Sequence, residues 1–403
     1  MTANARIAWA IGLAVLVGLP FVYRDPYHLH LLILILIWSF AYTSWSMMGR
    51  FGLVSLGHGG FMGVGAYVTA LLWNHLGVTP WIGIPIALVC AGALALVVAY
   101  PCFRFRITGH YFVLVTLALS GIVLQVITAT RDYTGGSLGY TPERTKGNHL
   151  LALQFDDKIV WYLIALGVWV SGLLIWRLVD RSMDRYALEA ISEDEDAAAA
   201  AGVNVTYEKL KITVISALMT AFAGALYCQY QMFISPDTVS GIAVSLQMVF
   251  AVVVGGIYVA LGPTVGAIIT ILLAEVLRIG FGTKAVGWDN LVYGLLLVLF
   301  IIFLPKGILG SLLELKPGEF QQTNHWHNWV DACIAGKKDA CVSRFEKAGR
   351  MCESLSIGAM SAVEHGKELT YDSTNCIFTN STLASAALRR TYRKGWEVAG
   401  LSY

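Results

Sequence analysis

The sequence predicts an all-α protein: a polytopic transmembrane helical bundle of about 8–10 membrane segments, some broken or re-entrant, followed by a small polar C-terminal extension. Three observations predict it. Only 13% of the 403 residues are charged and 57% are hydrophobic, where a soluble domain averages roughly 25% charged residues. Apolar segments near the ~20 residues that cross a bilayer recur along most of the chain. The charges gather between those segments, and the composition turns polar only near residue 315.

Residues 7–23 form the first segment. Arg6 is the one basic residue ahead of it and no small-residue cleavage site follows, so it reads as a retained span rather than a removed signal peptide. Further spans are expected at 27–49, 51–73, 81–103, 111–130, 159–179, 212–232, 242–261, 264–281 and 291–304. The third and eighth are the ones expected to be broken or re-entrant. Basic residues set the orientation. With a cytoplasmic N-terminus, alternation places Arg50, Arg104, Arg106, Arg181, Arg185, Lys209, Lys211 and Lys306 inside; Arg24, Arg131, Arg144, Lys146, Lys158 and Lys284 fall outside, mostly in one long loop. Both termini are then cytoplasmic.

The interruption at 181–211 carries helix signals of its own. Ser192 followed by Glu195 fits a capping box, the Ser192 hydroxyl accepting from the N3 amide while Glu195 reaches back. Glu193, Asp194, Glu195 and Asp196 put negative charge where the macrodipole favours it. Ala197 to Ala201 are strong helix formers, and Gly202 supplies a left-handed stop. A helix of about nine residues, roughly 14 Å long, is expected. Its bare alanine row lets another protein approach the backbone; a solvated loop helix is the plain alternative.

Other stretches carry candidate chemistry. Gly57, Gly59, Gly60, Gly63 and Gly65 permit close helix packing or a helix break, which at membrane depth is tolerated only in protein or beside a watery cavity. Ser55 and His58 offer polar groups there, with His58 expected to be a satisfied packing residue. Gly255 and Gly256, before Gly262 and Pro263, read equally as a half-helix end beside a path or as a tight turn. Thr134, Gly135 and Gly136 read as a surface turn before a ligand contact. Glu275 and Arg278, at i and i+3 in an apolar segment, are expected to pair or face the interior. Gln125, Gln229 and Gln247 are expected to bond between helices.

Several classes are excluded. A net charge of +2 implies no nucleic-acid partner. The chain has no GxxxxGK[ST], HExxH, CxxC or GxSxG pattern, so an ATP site by that route and common hydrolytic or metal motifs are absent. No metal site or cofactor is expected. The tail holds Cys333, Cys341, Cys352 and Cys376 with His325, His327 and His365. A cytoplasmic tail keeps cysteines reduced, and the irregular spacing argues against zinc. Val342, Phe345 and Leu355 hint at an amphipathic helix.

Taken in order, these stretches resemble the permease subunits of branched-chain amino-acid ABC importers, the LivM type. SLGHGGFMGVGAY at 55–67, TGG at 134–136 and ALEAISEDEDAAAAAGVNV at 187–205 are followed by AFAGALY at 221–227, ISP at 234–236, VVVGGIYVALGPTVGA at 252–267 and YGLLLVLFIIFLPKGILG at 293–310. The match covers about residues 10–312 and leaves the tail aside. The resemblance implies a permease domain at 1–314, a cytoplasmic coupling loop at 181–211 and an extension at 315–403. It implies an inner-membrane transport subunit, not an enzyme, with ATP hydrolysis on partner ATPase subunits. A second, similar permease and a periplasmic or extracellular substrate-binding protein are the other partners. Such permeases dock the ATPase through an EAA-x3-G loop. Asp196, Ala197, Ala198 and Gly202 fit it, with Asp in the Glu position, so Ser192, Glu195, Asp196, Ala197, Ala198 and Gly202 become the coupling candidates. Ser55, Gly57, His58, Gly59, Gly255 and Gly256 become candidates for the path or its helix breaks, and Thr134–Gly136 for the external loop. The implied substrate is a branched-chain amino acid; urea, short amides and small organic acids use similar permeases. An ATPase-independent secondary transporter is the alternative of another kind.

Overall fold

The computed structural model describes residues 3–145, 149–281 and 307–314, most of 367–387, and a few isolated positions. The expected last span, 291–304, lies outside the described residues apart from Val292 and Leu295. So do Lys146, Lys284, Lys306, His325, His327, Cys341, Val342, Phe345, Cys352, Leu355, His365 and Cys376, together with the side chain of Arg278.

The chain divides into two compact units, Met1–Pro317 and Gly318–Tyr403. Among the described residues, the regular elements of the first are helices. In order it holds α1 (Ala3–Val22), α2 (Pro26–Gly49), α3 (His58–Leu76), α4 (Pro80–Arg104), α5 (His110–Ala129) and a single turn, α6 (Arg131–Thr134). Then come α7 (Lys158–Arg181), α8 (Met183–Glu193), α9 (Glu195–Ala200), α10 (Val205–Gln231), the turn α11 (Pro236–Val239), α12 (Ile242–Gly255) and α13 (Gly262–Phe281). Among the described residues, six stretches are long and apolar enough to cross a membrane: α2, α4, α5, α7, α10 and Pro236–Gly255. The protein is therefore a multi-pass helical membrane protein.

The helix α2 is the axis of the bundle. Asp25 caps it by accepting from the His28 amide, and Pro26 sits at its first turn, where a missing N–H costs nothing. It carries no Asp, Glu, Lys or Arg and is buried almost all round, as a helix without a polar face must be. Its hydroxyls are satisfied locally: Ser39 donates to the Ile35 carbonyl at 2.6 Å and Thr43 to the Ser39 carbonyl at 2.7 Å. These bonds spend donors that lipid could not satisfy. Around α2 pack α7, α10, α12 and α13.

Glycine sets how closely the helices approach. A methyl group on Gly65 would overlap the Ala221 carbonyl, and one on Gly224 the Met62 carbonyl, so α3 and α10 touch backbone to backbone. Small residues serve this purpose in membranes, where no hydrophobic force pushes helices together.

Two expected spans are broken. Residues 51–57 are non-helical, and α3 starts only at His58, with Gly57 as its cap. Its N-terminus lies within the bundle, where His58 is fully buried. The expected span 242–261 is shorter than the sequence suggested. It ends at Gly255 because Gly256 adopts φ +117° and because a Cβ on Gly255 would overlap Gly262. That end is a tight turn between α12 and α13, with Gly255 and Gly256 at it. The other end, at Gly241, meets the start of α3, where the Gly59 amide donates to Ser245 Oγ at 2.9 Å.

In the second unit, Tyr371–Asp372 and Ile377–Phe378 form a two-residue antiparallel pair beside the helix Thr382–Ala387. The Ser385 hydroxyl accepts from the Phe378 amide at 2.8 Å.

Candidate functional site

The helix α8 leaves α7 at Ser182, whose extended backbone breaks the run. Leu188 and Ile191 are its buried face, and that apolar spacing carries the helix on to Glu193. Ser192 is therefore already inside α8, where its hydroxyl donates to the Glu189 carbonyl at 2.8 Å. The expected Ser192–Glu195 capping box does not form. Asp194 is the cap instead: with φ −155° it accepts from the Asp196 and Ala197 amides, both at 2.9 Å. A carboxylate there satisfies two orphan donors and faces the positive end of the dipole.

The helix α9 is six residues long, shorter than the nine expected. Its end follows expectation. Gly202 has φ +92°, the Val203 amide donates to the Ala198 carbonyl at 3.1 Å and the Gly202 amide to the Ala199 carbonyl at 3.0 Å, which is a Schellman motif. Ala198 is the buried contact; Ala197, Ala199, Ala200 and Ala201 are exposed.

Both acids of the first turn are tied down by residues that sequence reasoning assigned only to a membrane side. Glu195 forms an ion pair with Lys209 in the first turns of α10. Lys209 is 3% exposed and lies 5.8 Å from the centre of the Phe103 ring. Asp196 pairs with Arg106, in the loop between α4 and α5, at 2.8 Å. Arg106 itself has φ +56°. The one signal available was a lysine placed among Leu210, Ile212 and Thr213 at the head of a span; nothing in the sequence marked Arg106.

A second ionic chain joins α8 to the core. Arg50, at the end of α2, has a side chain 7% exposed, its guanidinium carbon 4.0 Å from the centre of the Trp176 ring and 4.6 Å from that of Phe51. It bonds Asp180 of α7 at 3.1 Å, Asp180 lies 3.4 Å from Arg185, and Arg185 bonds Glu189 at 2.7 Å. Burial lowers the Arg50 pKa, opposed by Asp180. The Glu189 hydrogen bond raises that of Arg185. The residues of this chain line a cavity of about 580 Å³ beside Ser192 and Glu193.

The glycine-rich candidates meet at the broken core. The His58 Nε2 lies 2.8 Å from Ser216 Oγ, which donates to the Ser44 carbonyl at 2.6 Å. Its Nδ1 has no partner among the described residues. The Ser55 hydroxyl accepts from the Gly57 amide, and the Ser55 carbonyl from Trp45 Nε1 at 2.7 Å. A Cβ on Gly59 would lie 2.7 Å from the Gly241 carbonyl oxygen. Gly255 and Gly256 belong to a different place, the α12–α13 hairpin.

Thr134, Gly135 and Gly136 form a buried turn rather than a presented surface. The Thr134 hydroxyl donates to the Ile127 carbonyl at 2.6 Å and accepts from the Gly136 amide. Gly135 and Gly136 have φ +74° and +57°. The turn leads to Tyr140, whose backbone pairs with Ile234 in both directions.

A bundle of apolar helices around one buried helix, interrupted by glycine breaks, defines a multi-pass helical membrane protein. The family described as branched-chain amino acid transport system / permease component matches residues 27–301. The chain belongs to that family. It is 32% identical over 297 residues to the high-affinity branched-chain amino acid transport system permease protein LivM of Escherichia coli (strain K12), covering 68% of each chain. It is 23% identical over 282 residues to a probable LivM of Methanocaldococcus jannaschii, covering 65% of this chain and 80% of that one. Over 132 residues, 32% of this chain and 36% of the relative, it is 29% identical to the fructose import permease protein FrcC of Rhizobium meliloti. No solved structure matches it.

Proposed function

We propose that this chain is the permease subunit of an ATP-binding-cassette importer for branched-chain amino acids, docking its ATPase through the 194–202 helix. The observation that carries the reading is α9 itself. It is short, capped at both ends, bare on its outer face, and joined by ion pairs to the α4–α5 loop and to the first turns of α10. A push on α9 reaches α10 through Lys209, α4 and α5 through Arg106, and α2 through α8 and Arg50. On this reading α9 and both termini are cytoplasmic, a second similar permease completes the path, and a soluble protein delivers substrate on the other side. Asp196, Ala197, Ala198 and Gly202 occupy the docking positions. Glu195 holds the helix from behind.

The test is reconstitution with candidate ATPase and partner permease subunits in proteoliposomes. ATP-driven uptake of leucine, isoleucine or valine supports the reading. Replacing Ala197 and Ala199 by Trp is expected to abolish ATPase co-purification while the bundle stays folded. A bundle that transports with no ATPase bound overturns it.

A further inference from the structure

The cavity beside α8 holds two unmet demands of opposite charge. It lies between the end of α2, the end of α7, α8 and the α12–α13 turn, and its volume is about 580 Å³. Small-molecule sites span about 300–1,000 Å³. The first demand is on Arg50, which lines the cavity. Its Nη1 donates to Asp180 at 3.1 Å. Its Nε and Nη2 are buried and have no hydrogen-bond partner among the described residues. Buried donors are nearly always satisfied, so this pair marks a place for an acceptor. Nε and Nη2 share one edge of the guanidinium. That edge presents two parallel N–H groups, the fork that takes both oxygens of a carboxylate.

The second demand is for a cation. The described lining holds two guanidiniums, Arg50 and Arg185, against three carboxylates, Asp180, Glu189 and Glu193. The run Arg50–Asp180–Arg185–Glu189 pairs four of them. Glu193 is the one left over, on the exposed rim and one helical turn beyond Glu189. A simple anion meets three carboxylates here. A simple cation leaves the Arg50 edge unsatisfied. A molecule that carries both charges answers both demands. We propose that this cavity binds a zwitterion with a primary ammonium and a pair of anionic oxygens, the oxygens on the Nε–Nη2 edge of Arg50 and the ammonium beside Glu189 and Glu193. Phe51, Ala190 and Tyr258 supply apolar wall for the rest of the molecule. A free α-amino acid has this chemistry, and so has an aminophospholipid head group. Seating either takes a shift of the Arg50 side chain or of the Phe51 ring over it, because neither nitrogen meets solvent here. That the ligand is the imported amino acid, held where it is released, rests on the importer reading; the zwitterion preference does not.

The experiment is alkylation of Ala190→Cys, an exposed position on the cavity wall, by N-ethylmaleimide. The full chain is held in phosphatidylglycerol nanodiscs, which leave both faces open, and labelling is read by mass spectrometry of that peptide. Leucine is expected to slow labelling at least fivefold. 3-Methylbutylamine, which lacks the carboxylate, and 4-methylpentanoate, which lacks the ammonium, are expected to slow it less than twofold. Arg50→Lys keeps the charge and loses the fork; Glu193→Gln, on the exposed rim, keeps the size and loses the charge. Each is expected to raise the leucine concentration for half-protection at least tenfold. Phosphatidylethanolamine nanodiscs separate the two sources. Slow labelling there without leucine assigns the zwitterion site to the head group, and labelling as fast as in phosphatidylglycerol assigns it to the free amino acid. Labelling that neither zwitterion slows overturns the proposal. So does protection by the amine or the acid equal to that by leucine, or protection indifferent to both substitutions. If the reconstituted assembly imports no branched-chain amino acid while leucine still protects Ala190→Cys, the importer reading fails and the zwitterion site stands.

Discussion

Glu195, the first residue of α9, is ion-paired to Lys209, a lysine that the head of α10 buries to 3% exposure. A buried ammonium tolerates the loss of its partner poorly, because its desolvation is then uncompensated; breaking such a pair from one side costs about 3–5 kcal/mol when burial is complete. Glu195 is 31% exposed, so the reverse loss is milder. Glu195→Gln is thus expected to destabilise the chain more than Lys209→Met does. The double variant is expected to fall short of the sum of the two. Thermal unfolding of the four members of the cycle measures the coupling directly, and strict additivity would show that the pair does no structural work.

The two candidate caps of α9 separate cleanly. Asp194→Ala removes an acceptor that serves two amides and is expected to cost about 1 kcal/mol. Ser192→Ala removes only a bond back into α8 and is expected to be near neutral. Hydrogen exchange at the Asp196 and Ala197 amides distinguishes them: protection drops in the first variant and holds in the second. Equal loss in both would restore the capping box.

The bounds of this helix show what the sequence could and could not reveal. The alanine run and the Gly202 stop are local signals, and the structure keeps them. The start is displaced by two residues because Leu188 and Ile191 extend α8 through Ser192, and tertiary burial outweighs a local hydroxyl cap. Glycine density before His58 fitted close helix packing and a helix break alike, and the structure has both: residues 51–57 are non-helical and Gly65 meets α10 backbone to backbone. What was not legible is pairing at a distance. Arg106 meets Asp196 across 90 residues of chain, and Tyr27 meets Glu275 across 248. No spacing rule connects residues whose proximity depends on how whole helices pack.

Close approach of α3 and α10 gives a prediction of size. Gly65→Ala and Gly224→Ala each place a methyl inside a facing carbonyl. Neither neighbour is a flexible side chain, so the helices must separate. Each variant is expected to lose at least about 1–3 kcal/mol, the usual penalty of overpacking. Gly121→Ala, with nothing within 4 Å of its added carbon, is the matched control and is expected to be neutral or slightly stabilising. The yield of folded protein in detergent after a heat step ranks the three. Tolerance of Gly65→Ala would mean that the two backbones are farther apart than this packing requires.

Arg50 is the remaining link between α8 and the central helix, and its chemistry decides which substitution matters. Its guanidinium does two things at once: it sits over the Trp176 and Phe51 rings, and it bonds Asp180. A planar, delocalised cation can do both; an ammonium cannot stack, and its stronger hydration makes burial dearer. Arg50→Lys keeps the charge and loses the geometry. It is expected to release Asp180 to Arg185 and so detach α2 from the 183–193 helix, with the fold intact. On the proposed importer function, the expected result in the reconstituted assembly is ATP hydrolysis near the wild-type rate with transport reduced at least tenfold, the signature of a broken linkage rather than of a lost ATPase site. Arg185→Lys, at an exposed pair worth only a few tenths of a kcal/mol, is expected to leave both rates within about twofold. If Arg50→Lys transports normally, movement of α9 reaches the bundle through Lys209 and Arg106 alone.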